Sequence, residues 1–376
     1  MKRIVLNLLI VVSLCMSGCQ ESERTLSGLC SKDFSKMISG KETGLYRLVN
    51  ESGMEVCITN YGGRIVSVMV PDRNGNMQDV VLGFDNIDDY CRIQTDFGAT
   101  IGRYANRISG GVFELDRQTY HLPANNFGHC LHGGPEGWQY KVFDVLHYED
   151  DSLTLGLVSP DGDSNFPGTV RVQVNFTLTE DNSIDISYKA ATDKPTIINM
   201  TNHSYFNLSG NPSSPATDHV LYLNAESFTP VDSTFMTTGE ILAVSGTPMD
   251  FTIPKTISED IDKEYVQLAN GRGYDHNWVL NTEGDSGILA ASLFCPKSGI
   301  KLEVFTDEPG IQVYTGNFLD GTVKGKKGIM YGNRASVCLE TQHYPDSPNK
   351  PQWPSVVLEP GETYTSSCTY RFSVAD

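Results

Sequence analysis

The chain has 376 residues, of which 39% are hydrophobic and 20% charged, so it can bury a sizeable core in one large domain or two of ordinary size. Its 46 acidic residues outnumber the 28 basic ones, and the formal charge of −18 argues against nucleic acid or a strongly anionic substrate as a partner. A neutral small molecule is compatible with this charge, which also serves simply to keep a protein soluble.

The N-terminus has the pattern of a processing segment. Lys2 and Arg3 precede an apolar run over residues 4–14 that is too short to span a membrane as a mature helix. Residues 16–19 (MSGC) resemble a bacterial lipoprotein signal, with an ordinary secretory signal as the alternative. We therefore expect a signal peptide over 1–18, lipidation at Cys19 and a flexible tether over 19–32. The protein would then be exported, periplasmic or outer-membrane associated, with the lipid as its only membrane contact.

From residue 33 onward the chain shows no linker, charge block or repeat, which predicts a single domain over residues 33–376. Hydrophobic and polar residues alternate over 170–178 (VRVQVNFTL), and the alternation resumes at 184–188 after a turn, as in a β-hairpin with one buried face. The C-terminal residues 364–372 alternate in the same way. Further strand-like runs lie at 54–59, 65–70, 112–122, 153–158, 220–224, 288–294 and 300–305.

No long segment with a helical period is visible, so helices should be few and short. We therefore expect an all-β fold, a large antiparallel β-sandwich. No CxxC pair occurs, which argues against a zinc site built from cysteines, and the sequence does not identify a disulfide.

Five segments break the alternation and concentrate polar, aromatic and glycine residues, as binding loops on a β scaffold do. They are residues 102–108 (GRYANRI), 128–138 (GHCLHGGPEGW), 201–210 (TNHSYFNLSG), 271–278 (GRGYDHNW), and 309–319 together with 338–349 (PGIQVYTGNFL and CLETQHYPDSPN). Taken in this order, they resemble the aldose 1-epimerase family, also called galactose mutarotases, from about residue 33 to the end. The resemblance implies a β-supersandwich with a sugar cleft across one sheet. It also implies a cofactor-free reaction that opens a pyranose ring and recloses it on the other face of the anomeric carbon.

The resemblance also implies which residues transfer protons. His203 matches the general acid to the ring oxygen, and Glu340 matches the general base on the anomeric hydroxyl. One positioned acid or base typically contributes about 10²–10⁴-fold to such a reaction. Because reclosure reverses the two roles, we expect His203 to keep a pKa near neutrality. The structural alternatives are a histidine bonded within the core and a charged residue at a strand end.

Other residues in the segments match contacts to the sugar. His132, in LHGG, matches an auxiliary histidine near the reacting end, while its spacing from His129 leaves a metal site as the alternative, without an obvious third ligand. Arg107 is open to a second interpretation as an ion-pair partner, and Gln312 to one as a solvent-facing strand residue. We expect Trp278 in the core, a free monosaccharide such as galactose or glucose as substrate, and neither metal nor cofactor. The residues matched to hydroxyl contacts are Asn106, Arg107, Asp275 and Gln312.

Three competing functions remain at this stage. A non-catalytic carbohydrate-binding protein on the same fold would not need the acid and base. A glycosidase would use Asp275 and Glu340 as its carboxylate pair. An epimerase of phosphorylated hexoses would want a cluster of Arg and Lys, whereas the five segments carry only Arg103, Arg107 and Arg272. The sequence leaves the preferred aldose and the oligomeric state open.

Overall fold

The computed structural model describes residues 24–375. The predicted signal peptide over 1–18 and the predicted lipidation at Cys19 lie outside these residues. Among the described residues, no helix has the length and apolar character needed to cross a membrane.

Short strands make up most of the described chain, and they are numbered here in chain order. The first sixteen are β1 (Lys36–Ile38), β2 (Lys41–Thr43), β3 (Leu45–Val49), β4 (Glu55–Thr59), β5 (Arg64–Pro71), β6 (Met77–Asp79), β7 (Ala99–Ile101), β8 (Arg107–Ile108), β9 (Val112–Leu115), β10 (Gln118–His121), β11 (Cys130–Leu131), β12 (Asp144–Tyr148), β13 (Ser152–Ser159), β14 (Val170–Leu178), β15 (Ser183–Thr192) and β16 (Thr196–Ile197). The others are β17 (Thr201–His203), β18 (Tyr205–Phe206), β19 (Val220–Leu223), β20 (Ser227–Thr229), β21 (Leu242–Ala243), β22 (Lys255–Thr256), β23 (Asp275–Val279), β24 (Leu289–Phe294), β25 (Ile300–Thr306), β26 (Gly310–Tyr314), β27 (Val323–Lys324), β28 (Met330–Tyr331), β29 (Val337–Gln342), β30 (Val357–Leu358) and β31 (Tyr364–Val374).

Helices are few and short, as the absence of a helical period predicted. In the described part of the chain there are two α-helices, α1 (Ile87–Arg92) and α2 (Val266–Gly271). Single 3₁₀ turns lie at Ser31–Phe34, Ser109–Gly111, Trp138–Tyr140, Asp163–Asn165, Ile257–Glu259, Lys326–Gly328 and Ser347–Asn349. The predicted all-β class is confirmed.

Three antiparallel sheets carry the fold. A nine-stranded sheet runs in the order β12-β13-β14-β15-β31-β25-β24-β19-β22, a six-stranded sheet in the order β18-β29-β26-β23-β20-β21, and a four-stranded sheet in the order β3-β4-β5-β6. The predicted hairpin is β14–β15, and the predicted C-terminal strand, β31, lies between β15 and β25. Strand β31 is far from both β15 and β25 in the chain, so these two pairings connect remote segments.

The main core lies between the nine-stranded and six-stranded sheets. Residues of β14 alternate between buried and accessible, and the buried set from Val170 to Leu178 belongs to the main core. Tyr370 of β31 donates its hydroxyl to the Leu339 carbonyl of β29 at 2.8 Å and packs against Phe206 with ring centroids 5.0 Å apart. Strands β26 and β29 are buried at every position, so the second face of the six-stranded sheet is covered as well. That second face carries the site described below.

The N-terminal residues 24–32 differ from the predicted tether. Leu29 is buried, and Leu26 donates its backbone N–H to Glu55 Oε1 at 2.7 Å. Ser27 Oγ donates to Ser67 Oγ at 3.1 Å. The tether prediction is therefore wrong for residues 24–32, and residues 19–23 lie outside the described chain. Hydrogen bonds to distant residues hold this segment, so its polar, aperiodic sequence gave no sign of it.

Candidate active site

One wall of the site is the second face of the six-stranded sheet. In the adjacent strands β23, β26 and β29, Gln312 stands opposite both Asn277 and Glu340. Because side chains alternate along a strand, Asp275, Gln312 and Glu340 share this face, while their neighbours point into the core. Gln312 Nε2 donates to Asp275 Oδ1 at 2.7 Å, whereas Gln312 Oε1 has no partner among the described residues. The sheet therefore presents three hydrogen-bonding side chains in a row.

The second wall comes from short strands and turns. His203 ends β17, where it pairs with Ala99 of β7, and β17 leads directly into β18, which pairs with β29, so His203 lies where this wall joins the sheet. Arg107 begins β8, which pairs with β11, and the turn after β11 carries His132 back toward Asn106. Asn106 and His132 have positive φ angles of 63° and 53°, a region that Asn and His enter more readily than most residues.

The glycine pair after His132 has a structural role in this wall. A Cβ atom at Gly133 would lie 2.3 Å from the Gly102 carbonyl oxygen, and its φ is +78°. Only glycine lets the two chain segments approach this closely.

The two walls line a cavity of about 340 Å³, within the range of small-molecule sites. The structure brings together all seven predicted catalytic and sugar-binding residues, whose individual roles stay predictions. The seven lining residues are Asn106, Arg107, His132, His203, Asp275, Gln312 and Glu340.

The predicted acid and base face each other inside this cavity. His203 Nε2 lies 3.5 Å from Glu340 Oε2, and the two residues are 5% and 2% exposed. The Tyr205 ring stacks on the His203 imidazole with centroids 4.9 Å apart and planes 12° from parallel, which holds the imidazole in place. Glu340 Oε2 has no hydrogen-bond partner among the described residues, so it can receive a proton from a ligand.

Burial shifts the pKa values of both His203 and Glu340. Burial, followed by the neighbouring His132, lowers the pKa of His203 to about 3. Burial, followed by Asp275 and Asp96, raises the pKa of Glu340 well above its usual value, and Arg107 opposes this. The expectation of a near-neutral His203 pKa is therefore wrong, because a low-dielectric cavity disfavours both ions. Burial therefore favours a neutral imidazole at His203 and a protonated carboxyl group at Glu340.

The tautomer of His132 follows from one backbone contact. The Asn106 N–H donates to His132 Nδ1 at 3.1 Å, so that nitrogen carries a lone pair. Burial, followed by Arg107, lowers the pKa of His132 to about 3, so its imidazole is neutral and Nε2 carries the hydrogen. His132 therefore offers a hydrogen-bond donor at Nε2.

This tautomer also bears on metal binding. Asp96, His132 and His203 each place one ligand atom within 4.8 Å of the others. A metal-bound histidine donates through its second ring nitrogen, whereas Nδ1 of His132 faces a donor and Nε2 is protonated. His129, the alternative partner of His132, has its ring nitrogens bonded to the Gly110 N–H at 3.0 Å and to Thr234 Oγ1 at 2.9 Å. These contacts fit proton transfer better than metal binding.

Cys338 completes a second close group with His203 and Glu340. Burial raises the pKa of its thiol well above the usual value.

Arg107 makes a hydrogen bond where the alternative expected an ion pair. Its Nε and Nη2 donate to Asn126 Oδ1 at 3.2 and 3.1 Å, and its guanidinium carbon lies 5.1 Å from the centre of the Phe235 ring. Burial lowers the pKa of Arg107, while Asp275 and Glu340 raise it. The guanidinium therefore balances part of the carboxylate charge of the cavity.

Several lining residues were not singled out from the sequence. Tyr205 lies within a quoted segment, where strand alternation was the available signal, and Phe318 lies in the turn after β26. Asp96 lies before the segment over 102–108, and no pattern in the sequence marked it as a site residue. Trp278 lies in the core, as predicted, with Nε1 donating to the Met249 carbonyl at 3.0 Å. The lining residues that sequence reasoning missed are Gln94, Asp96, Asn126, Leu131, Tyr205 and Phe318, and Tyr314 also lines the cavity.

Comparison with known proteins agrees with this geometry. The sequence model of the family described as Aldose 1-epimerase matches residues 44–371. Galactose mutarotase from Bos taurus is 41% identical over 322 residues, covering 86% of this chain and 92% of that protein. Aldose 1-epimerase from Escherichia coli (strain K12) is 36% identical over 335 residues, covering 89% of this chain and 96% of that protein.

Solved structures give the same result at the level of the fold. A GalM/aldose epimerase homologue from C. elegans has a TM-score of 0.83 at 32% identity, covering 89% of this chain and 100% of that one. Galactose 1-epimerase from Lactobacillus acidophilus NCFM has a TM-score of 0.79 at 27% identity, covering 91% of this chain and 97% of that one.

Proposed function

The chain belongs to the aldose 1-epimerase family, and from this premise we propose that it is a mutarotase that interconverts the α and β anomers of free hexoses such as galactose and glucose. The observation that carries the proposal is the 3.5 Å separation of His203 Nε2 and Glu340 Oε2 inside a polar cavity. An acid and a base this close can both reach one hemiacetal centre.

Ring opening moves two protons. His203 Nε2 gives its proton to the ring oxygen as the bond from that oxygen to the anomeric carbon breaks. Glu340 takes the proton of the anomeric hydroxyl as the carbonyl forms. Rotation about the neighbouring carbon–carbon bond presents the other face of the carbonyl, and reclosure reverses both transfers. The protein returns to its starting protonation state, and no other reactant is consumed.

The net effect of ring opening is to move one proton from His203 to Glu340 through the sugar. The cavity by itself favours the neutral histidine and the protonated carboxyl group, which is the arrangement after ring opening. The closed sugar needs the opposite arrangement. Sugar hydroxyls that solvate both ions, together with Arg107 beside Glu340, offset the desolvation of that ion pair.

The other polar groups orient the sugar. His132 offers its Nε2–H to the ring oxygen or the anomeric hydroxyl. On the sheet wall, sugar hydroxyls donate hydrogen bonds to two acceptors. These are the Asp275 carboxylate and Gln312 Oε1, which has no partner among the described residues. Such positioning lowers the barrier by holding the reacting atoms near their transition-state geometry.

The charge of the cavity argues against a phosphorylated hexose. The described residues that line it include Asp96, Asp275 and Glu340, with Arg107 as the single basic side chain apart from the histidines. Of the other two arginines in the binding segments, Arg103 is buried on backbone carbonyls such as that of Pro167. A phosphate would therefore meet three carboxyl groups and a single arginine.

Polarimetry tests the proposal. Freshly dissolved α-D-glucose, α-D-galactose, xylose and arabinose should reach anomeric equilibrium faster with the protein than without it, and His203→Asn should abolish most of this acceleration. An aryl glycoside serves as the control substrate and should stay intact. Release of the aryl alcohol would support a glycosidase. Binding without acceleration for every sugar would support a carbohydrate-binding protein.

For the location of the protein, we propose export followed by lipidation at Cys19. The support is the order of charge, apolar run and MSGC in residues 1–19. In a bacterial host fed radioactive palmitate, the wild type should be labelled and recovered with membranes, and Cys19→Ser should be neither. An unlabelled wild-type protein in the soluble fraction would contradict this.

A further inference from the structure

A third carboxylate faces the two histidines of the cavity. Asp96 lies shortly before β7 and lines the cavity, and its Oδ1 is buried without a hydrogen-bond partner among the described residues. One oxygen of Asp96 and one ring nitrogen each of His132 and His203 lie within 4.8 Å of one another. A buried carboxylate oxygen without a donor is unfavourable, so its position points to a donor on the ligand.

His203 places Asp96 relative to the reacting atoms. His203 belongs to two close groups, one with Asp96 and His132 and the other with Cys338 and Glu340. The carbonyls of His203 and Tyr205 accept hydrogen bonds from the Gly98 and Leu82 N–H groups at one edge of the β17–β18 run, and the other edge of this run pairs with β29. Asp96, two residues before Gly98, and Glu340, on β29, therefore lie on different sides of the strand that carries His203. Under the proposed function, Glu340 marks the anomeric hydroxyl and His203 marks the ring oxygen. Asp96 then lies beyond the ring oxygen, away from the anomeric carbon.

In a hexopyranose, the carbon on that side of the ring oxygen carries the hydroxymethyl group. We propose that Asp96 accepts a hydrogen bond from the 6-hydroxyl of the sugar and thereby sets a preference for aldohexoses over sugars that lack this hydroxyl. This inference rests on the proposed function and extends it to the substrate class.

The other carboxylates of the cavity do not compete for this role. Asp275 already accepts from Gln312 at 2.7 Å on the sheet wall, and Glu340 faces the anomeric hydroxyl. Asp96 also carries a negative charge into this part of the cavity, so a 6-phosphate or a 6-carboxylate would be repelled where a 6-hydroxyl is bound.

The test compares sugars that differ only at this position. D-galactose, 6-deoxy-D-galactose and L-arabinose share the ring configuration, and the last two lack the 6-hydroxyl. Polarimetry should give the wild type a kcat/KM for galactose about 10–100-fold above that for the other two, as expected for a hydrogen bond to a charged acceptor. Asp96→Ala should bring this ratio close to one, and Asp96→Asn should lower it less.

Asp88→Asn on α1 is the matched control, because it removes the same charge from an exposed ion pair with Lys36 of β1 and should leave the ratio unchanged. If the Ala variant does not fold, Asp96→Asn supplies the comparison. A wild type that equilibrates all three sugars equally well, or a variant that loses the same factor on each sugar, would overturn the role of Asp96 and leave the proposed function standing. A wild type that accelerates none of them would overturn both.

Discussion

Replacement of Glu340 by Gln separates the two halves of the proton transfer. The substitution keeps the size and most of the shape of the side chain but removes the base. In the wild type, Glu340 takes up one proton for each proton that His203 gives, so the pair needs none from solvent. In the variant, His203 has to take its proton from solvent.

The structure sets the size of the effect. Burial and His132 lower the pKa of His203 to about 3, and the substitution leaves both in place. At pH 7 only about 10⁻⁴ of His203 would then be protonated. Loss of the base removes about 10²–10⁴-fold on its own. We therefore expect kcat to fall at least about 10²-fold at pH 7, or about 2.7 kcal/mol, and then to rise about tenfold per pH unit as the pH is lowered toward 5.

The assay is polarimetry of fresh α-D-galactose at pH 7, 6 and 5, with the uncatalysed rate subtracted at each pH. His203→Asn should be equally impaired but should show no recovery at low pH. Glu114→Gln removes a carboxylate from an exposed position on β9 and serves as the control. Full activity of the Glu340→Gln variant at pH 7 would refute the assignment of the base. A kcat of the Glu340→Gln variant that does not change with pH would refute the inference that protonation of His203 limits this variant.

Two further predictions follow from single contacts. Asp275→Asn should raise KM for galactose about tenfold or more with a smaller change in kcat, because a hydrogen bond to a charged acceptor contributes about 1.5–3 kcal/mol; initial rates over a range of sugar concentrations measure this, and an unchanged KM would contradict it. His276 is fully buried, and burial lowers its pKa to about 3. Above its unfolded pKa of about 6.5 the imidazole is neutral in both the folded and the unfolded chain, and its contribution to stability is complete. As the pH falls from 6.5 toward 3, only the unfolded chain takes up the proton, so this contribution is lost. His276→Gln should therefore flatten the fall of the unfolding free energy below pH 6.5 by about 1.4 kcal/mol per pH unit in urea titrations, and a slope equal to that of the wild type would contradict the assignment.

Much of the local structure could be predicted because period-two alternation is a local signal. The run over 170–178 became β14, and the C-terminal run became part of β31. Alternation in GIQVY also makes Gln312 point away from the core, since its two neighbours in the strand are apolar. The N-terminal segment over 24–32 could not be predicted, because hydrogen bonds to Glu55 and Ser67 hold it and the sequence shows no pattern for such contacts.

By itself, the sequence determined the β class, the polar segments between strands and the residue types able to exchange protons with a sugar, because each of these depends on near neighbours in the chain. Only the tertiary structure decided that His203 and Glu340 lie 3.5 Å apart, that burial lowers the pKa of the first and raises that of the second, and that Asp96 faces the same cavity. The reason is physical. Distances between remote segments depend on strand order, and pKa values depend on how completely the folded chain excludes water from a group.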